Sequence, residues 1–165
     1  MKYVTHRITA IFLVLLLCFA LTGCGNKEPY LPVLDLVKST MLGDANALSQ
    51  LLTPEYKAIM EANGITAESY TADLTASNAD NPVTEVSYTV NSSEKITDMD
   101  LSTVNSRRNM YSKDNTAVIP ASEGYRIDTT FTVTHTDGQK TPKYLVLYII
   151  CVDNNWYLDP LSLGG

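Results

Sequence analysis

Side chains suited to redox and metal chemistry are scarce in this chain: three cysteines and two histidines in 165 residues. Downstream of residue 24 only His135 and Cys151 remain as nitrogen and sulfur donors, too few for a zinc site. Asp98-Met99-Asp100 runs into Leu101 without the glycine and closing glutamate of a calcium loop, so these acids read as solvated. No metal and no cofactor are expected. Equally missing are a glycine-rich phosphate loop, a Gly-x-Ser-x-Gly elbow and a zinc-protease helix, which removes the familiar catalytic signatures. Basic residues are outnumbered, 12 against 18 acids, for a formal charge of −6. Such a surface repels nucleic acid and anionic headgroups, so nucleic acid is not an expected partner. The one long apolar run, Ile8 to Leu21, is too short for a comfortable membrane span.

What is present at the amino terminus is ordered. Lys2, His6 and Arg7 precede the apolar run, giving the charged head and hydrophobic middle of a secretory signal. The run closes in Leu21-Thr22-Gly23-Cys24, which resembles the lipobox of bacterial lipoproteins. That resemblance implies cleavage between Gly23 and Cys24, a thioether-linked diacylglycerol on Cys24 and usually a third acyl chain, such as palmitate, on the new amino terminus. Residues 1–23 are then a signal peptide, 24–31 a lipidated cysteine with a short tether, and 32–165 one domain on the extracytoplasmic face of the cell membrane. Losing Lys2 and Arg7 with the signal leaves 10 basic residues against 18 acids, a charge of −8. Attachment must therefore come from the acyl chains, at about 0.8 kcal/mol per buried methylene. Cys151 becomes the one free thiol and, set in Leu145-Val146-Leu147-Tyr148-Ile149-Ile150-Cys151-Val152, reads as an inert core residue.

The tether, Gly25 to Leu31, is polar and broken by Pro29. Pro32 suits the first turn of a helix carrying Val33, Leu34, Val37 and Met41, closed by Gly43. Asp44 caps a second helix through Ala47, Leu48, Leu51 and Leu52. Thr53-Pro54 opens a third, with Tyr56, Ile59 and Met60, stopped at Gly64. Thr66 caps a fourth through Tyr70 and Leu74. After Pro82 the period changes to two: Val86, Tyr88 and Val90 alternate with polar residues, the mark of a strand with one wet face. In the segment 97–114, Leu101, Val104, Arg108 and Tyr111 fit a helix capped near Asp98 or Asp100, although its Thr, Asn and Ser residues are poor helix formers. A strand from Tyr125 to Thr134 follows. Asp137-Gly138 reads as a two-residue hairpin turn, pairing Phe131 with Tyr144, Thr129 with Val146 and Ile127 with Tyr148. The returning strand, Lys143 to Val152, is apolar on both faces, and a last turn leads into Trp156-Tyr157-Leu158-Asp159 before Pro160.

Helices first and an antiparallel meander afterwards define an α+β plan in which the helices cover one face of a curved sheet. With Leu42-Gly43-Asp44-Ala45 near the start and Asn155-Trp156-Tyr157-Leu158-Asp159-Pro160 at the end, the chain resembles the nuclear transport factor 2-like (cystatin-like) superfamily, more narrowly its envelope lipoproteins. The resemblance implies a cone whose concavity holds the first long helix. Some members of that superfamily are isomerases or dehydratases, and the residues here that would serve are His135 and Asp159, with Tyr88, Phe131 and Tyr148 lining the cone. The leading expectation is instead a binding module for a peptide, wall component or protein partner, because catalytic motifs are absent. In the two-residue register Leu145, Leu147, Ile149 and Cys151 point away from the helices, and with Trp156 they form a candidate interface. A weak homodimer, a docked partner, the segment 97–114 or Pro160-Leu161-Ser162-Leu163 would each cover that face.

Overall fold

A computed structural model describes residues 28–112 and 118–159. Four helices open the fold: α1 (Leu31–Met41), α2 (Ala45–Leu51), α3 (Pro54–Ala62) and α4 (Ala67–Ala76). Their starts are written locally. The Asp44 carboxylate accepts from the Asn46 and Ala47 N–H groups, and Thr66 and Ser69 form a reciprocal capping box, satisfying donors that a helix start leaves open. Gly43 ends α1 at a φ of +92°, a conformation that glycine takes at little cost. Val33, Leu34 and Val37 of α1 are buried, each contributing about 1.5–3 kcal/mol through the apolar surface it removes from water. Packing starts within the stretch expected to be a tether. Pro29 and Tyr30 are already buried, with the Tyr30 ring centroid 5.6 Å from that of Tyr125.

The helices lie on one face of an antiparallel sheet ordered β1 (Val83–Lys95), β2 (Glu123–His135), β3 (Lys140–Val152), β4 (Asn155–Leu158). Together these elements make the expected α+β single domain. The core joins Leu34, Leu48 and Leu51 to Val86, Ile127, Phe131, Leu147 and Ile149.

The β2–β3 register differs from the expected one by one residue. Phe131 faces Lys143, Thr129 faces Leu145 and Ile127 faces Leu147. The cause is the turn. Gly138 N–H donates to the His135 carbonyl and His135 N–H to the Gln139 carbonyl, leaving a three-residue loop, 136–138, with Gly138 at a φ of +81°. Because side chains alternate, that single step exchanges the two faces of β3. Leu147 and Ile149 point into the helix-covered core, fully buried, and Leu145 packs at its margin. The proposed interface of Leu145, Leu147, Ile149 and Trp156 is thus interior, with the Trp156 ring tilted against Tyr125 at a centroid distance of 5.7 Å. The last hairpin is tight. Asp153 and Asn154, at φ of 49° and 60°, form a two-residue turn, and Leu158 faces Ile149.

The opposite face of β3 carries Ile150 and Val152, and here the segment following β1 supplies the cover. It forms α5 (Asp98–Tyr111), capped not by Asp98 or Asp100 but by Thr97, whose hydroxyl oxygen accepts from the Asp100 N–H. Val104 and Arg108, one turn apart, are 2% and 4% exposed, and Val104 packs with Ala121, Ile150 and Val152 in a second, smaller core. The sheet is consequently sandwiched between α1–α4 and α5 at this end. Tyr144, 77% exposed, and Val146, 40% exposed, lie beyond that cover on the same outer face.

Candidate functional site

The residues singled out from the sequence do not converge. Gly23 and Cys24 lie outside the described residues, as do Pro160 and those after it. His135 sits at the end of β2, where its Nδ1 is 2.8 Å from the Asn81 carbonyl oxygen. Around it Thr136 hydrogen-bonds to Asn81 and Pro82, and the Asp137 carboxylate accepts from the Gln139 N–H. That N–H, then the Asn81 side chain, holds the exposed Asp137 carboxyl below the usual carboxylate range. His135 thereby fastens the hairpin to the loop before β1, a structural task. Asp159 is fully buried at the other end of the sheet, its N–H donating to the Tyr148 carbonyl at 2.7 Å. Nine residue steps separate Tyr148 from Gln139, the partner of His135, which is about 30 Å along a strand. No proton relay joins the two.

The expected pocket lining divides across the sheet. Tyr88 faces Phe131, ring centroids 5.6 Å apart, on the helix-covered face, and Phe131 is sealed in the core. Tyr148, in contrast, faces outward opposite Arg126 as a result of the register step. The Tyr88 hydroxyl donates to Asp35 Oδ1 at 3.1 Å. Partial burial, then this bond and the Asp35 charge, push the phenol up to about 12. An ionisation raised on folding contributes stability that is complete below the unfolded value near 10 and is lost as pH climbs through 12. Denaturant midpoints should therefore fall between pH 10 and 12, and the fall should be shallower in Tyr88→Phe. An unchanged slope in that variant would assign the alkaline loss to other groups.

Two adjacent arginines form the densest polar constellation, and it lies on α5. Arg108, almost wholly buried, places Nε 2.5 Å from Glu55 Oε1 of α3 and donates through Nη1 to the Ile119 carbonyl at 3.0 Å. Asn105, one turn earlier, binds both sides of Ala121: its Oδ1 accepts from the N–H at 2.7 Å and its Nδ2 donates to the carbonyl at 3.1 Å. Arg107 reaches Asp159 Oδ2 at 3.3 Å through Nη2. These bonds clamp α5 to α3, to the residues leading into β2 and to the residue ending β4. Sequence reading assigned Arg108 to the helix's buried stripe but not to a partner, since Glu55 lies 53 positions away.

Clefts open on the described surface. One of about 250 Å³ runs between α2, α3 and α4 past Asn46, Lys57, Glu61 and Glu68, and an apolar one of about 120 Å³ adjoins it, sharing Leu52, Met60 and Ile65. Another, about 210 Å³, lies between α5 and the sheet, lined by Asp100, Thr103, Val104, Arg107 and Tyr148. Among the described residues no group of three or more His, Cys, Asp or Glu is placed to hold a metal ion, and no helix is long and apolar enough to cross a membrane. No family model, curated protein or solved structure matches this chain.

Proposed function

We propose that this chain is a lipid-anchored, extracytoplasmic interaction module of the bacterial envelope. The observation that carries the reading is the order of Lys2 and Arg7, the apolar run and Gly23-Cys24 in the sequence shortly ahead of the buried Pro29 and Tyr30. Five residue steps separate Cys24 from Pro29, a reach of about 18 Å at full extension, so an acylated Cys24 would hold the domain against the bilayer. Tyr30 packs at the Tyr125 end of the sheet, its hydroxyl 3.4 Å from Ser93 Oγ. The hairpin at residues 136–138 is at the opposite end of β2 and would face away from the lipid. Support for interaction over catalysis comes from the polar groups themselves: His135, Arg108 and Arg107 make bonds that hold the fold, and His135 is remote from Asp159. The likeness to nuclear transport factor 2-like lipoproteins belongs to this reading as well.

Cys24→Ser should move the full chain from the membrane fraction to the soluble extracytoplasmic fraction. Recovery of the same membrane-bound amount, released only by detergent, would refute the anchor.

A further inference from the structure

β4 covers only part of β3. Its ladder runs from Val152–Asn155 to Ile149–Leu158, and the Asp159 N–H extends it to the Tyr148 carbonyl. In an antiparallel ladder every second residue directs its N–H and C=O to the same side. The β2–β3 pairing continues without a shift from Lys140 to Cys151, so Val146 and Tyr144 direct their backbone groups to the side that Tyr148 does. Beyond Asp159 no described strand pairs there. The two residues whose backbone groups no described residue pairs on that side are also apolar side chains in solvent, Tyr144 and Val146. Pro142, with no N–H to offer, bounds the open stretch at its far end.

We propose that this edge of β3 receives a short extended peptide carrying acidic side chains, which adds as a strand beside Tyr144 and Val146. Backbone bonds supply the register, and the outward side chains of Tyr144 and Val146 supply apolar contact. Charge selects the partner. Lys140 and Lys143 are both exposed, β3 contains no acidic residue, and the acid across the ladder from Val146, Asp128, is paired with Arg126 at 3.1 Å, so the edge is a basic spot on a chain that is at −6 as a whole. A second copy of the same edge is disfavoured by charge and not by backbone fit: antiparallel self-pairing centred on Leu145 sets Tyr144 opposite Val146 with their backbone groups bonded, yet it gathers two lysines from each copy along one seam with no β3 acid to offset them. The proposal rests on the reading of this domain as an interaction module, but fractionation of Cys24→Ser and the experiment below read different properties and fail separately.

Amide hydrogen exchange on the full chain in detergent, without and with a synthetic Val-Thr-Glu-Val-Thr-Glu-Val peptide, tests it. In the free protein the Tyr144 and Val146 amides should exchange rapidly while those of Leu145 and Leu147, bonded to β2, are protected. Peptide at ten times its Kd should slow Tyr144 and Val146 roughly tenfold. The effect should be lost with an N-methylated peptide and reduced by Lys140→Glu with Lys143→Glu or by added salt. Slow exchange at Tyr144 and Val146 in the free protein would show that the chain covers its own edge and would overturn the proposal, as would saturating peptide that leaves both amides fast.

Discussion

Arg108→Ala is expected to remove about 3–5 kcal/mol of folding stability, as found when one partner of a buried ion pair is deleted. The cost is not the attraction that disappears. It is the groups left behind, because the Glu55 side chain is only 14% exposed and the Ile119 carbonyl also loses its donor. Glu55→Leu combined with Arg108→Met should recover most of the loss, since replacing both charges with apolar groups of similar size removes the desolvation problem altogether. A urea midpoint for Arg108→Ala within about 0.5 kcal/mol of the parent would mean that water satisfies Glu55 and that α5 is not clamped. The structural consequence follows from what α5 covers. Once the Arg108 and Asn105 bonds loosen, Ile150 and Val152 lose the helix that shields them, so the single variant should also bind a hydrophobic dye below its unfolding transition.

Helices α1–α4 were legible because each announces itself within a few residues. Asp44 and Thr66 cap their own chains, Pro32 and Pro54 sit where a helix start tolerates them, and Gly43 ends α1. The strands were legible through alternation. The turn was not, because Asp137-Gly138 serves a two-residue loop and a three-residue loop equally well, with glycine in a left-handed conformation in each. Pro142 does not interrupt the pairing, since it faces Thr132 within an intact ladder. Helix α5 was readable as a buried stripe but not as a stable element, since its Ser, Thr and Asn content argues against it and its anchors are Glu55, Ala121 and Asp159, all distant in sequence. The candidate catalytic set failed for the same reason. Tyr148 joins Tyr88 and Phe131 only if the turn has two residues, and His135 meets Asn81 across 54 positions, a partnership no local pattern encodes.

The face exchange makes a prediction whose sign separates the two registers. With Phe131 opposite Lys143, Leu147 is fully buried among the helices and Tyr144 stands in solvent, 77% exposed. Leu147→Ala should therefore cost about 2–5 kcal/mol, the range for emptying a leucine-sized volume in a packed core, whereas Tyr144→Ala should fall within about 0.5 kcal/mol of the parent. The two-residue turn demands the reverse order, with Tyr144 inside and Leu147 outside. Charge sharpens the contrast. Leu147→Glu would set a carboxylate between Ile127 and Ile149 with no cation among the neighbouring core residues, so it should unfold the domain and leave no soluble monomer to recover. Tyr144→Glu should fold normally, yet oppose an acidic peptide at the β3 edge. A folded Leu147→Glu beside an unfolded Tyr144→Glu would overturn the register, the three-residue loop and the assignment of the open edge together, because all three follow from the two hydrogen bonds that close the loop, Gly138 N–H to the His135 carbonyl and His135 N–H to the Gln139 carbonyl.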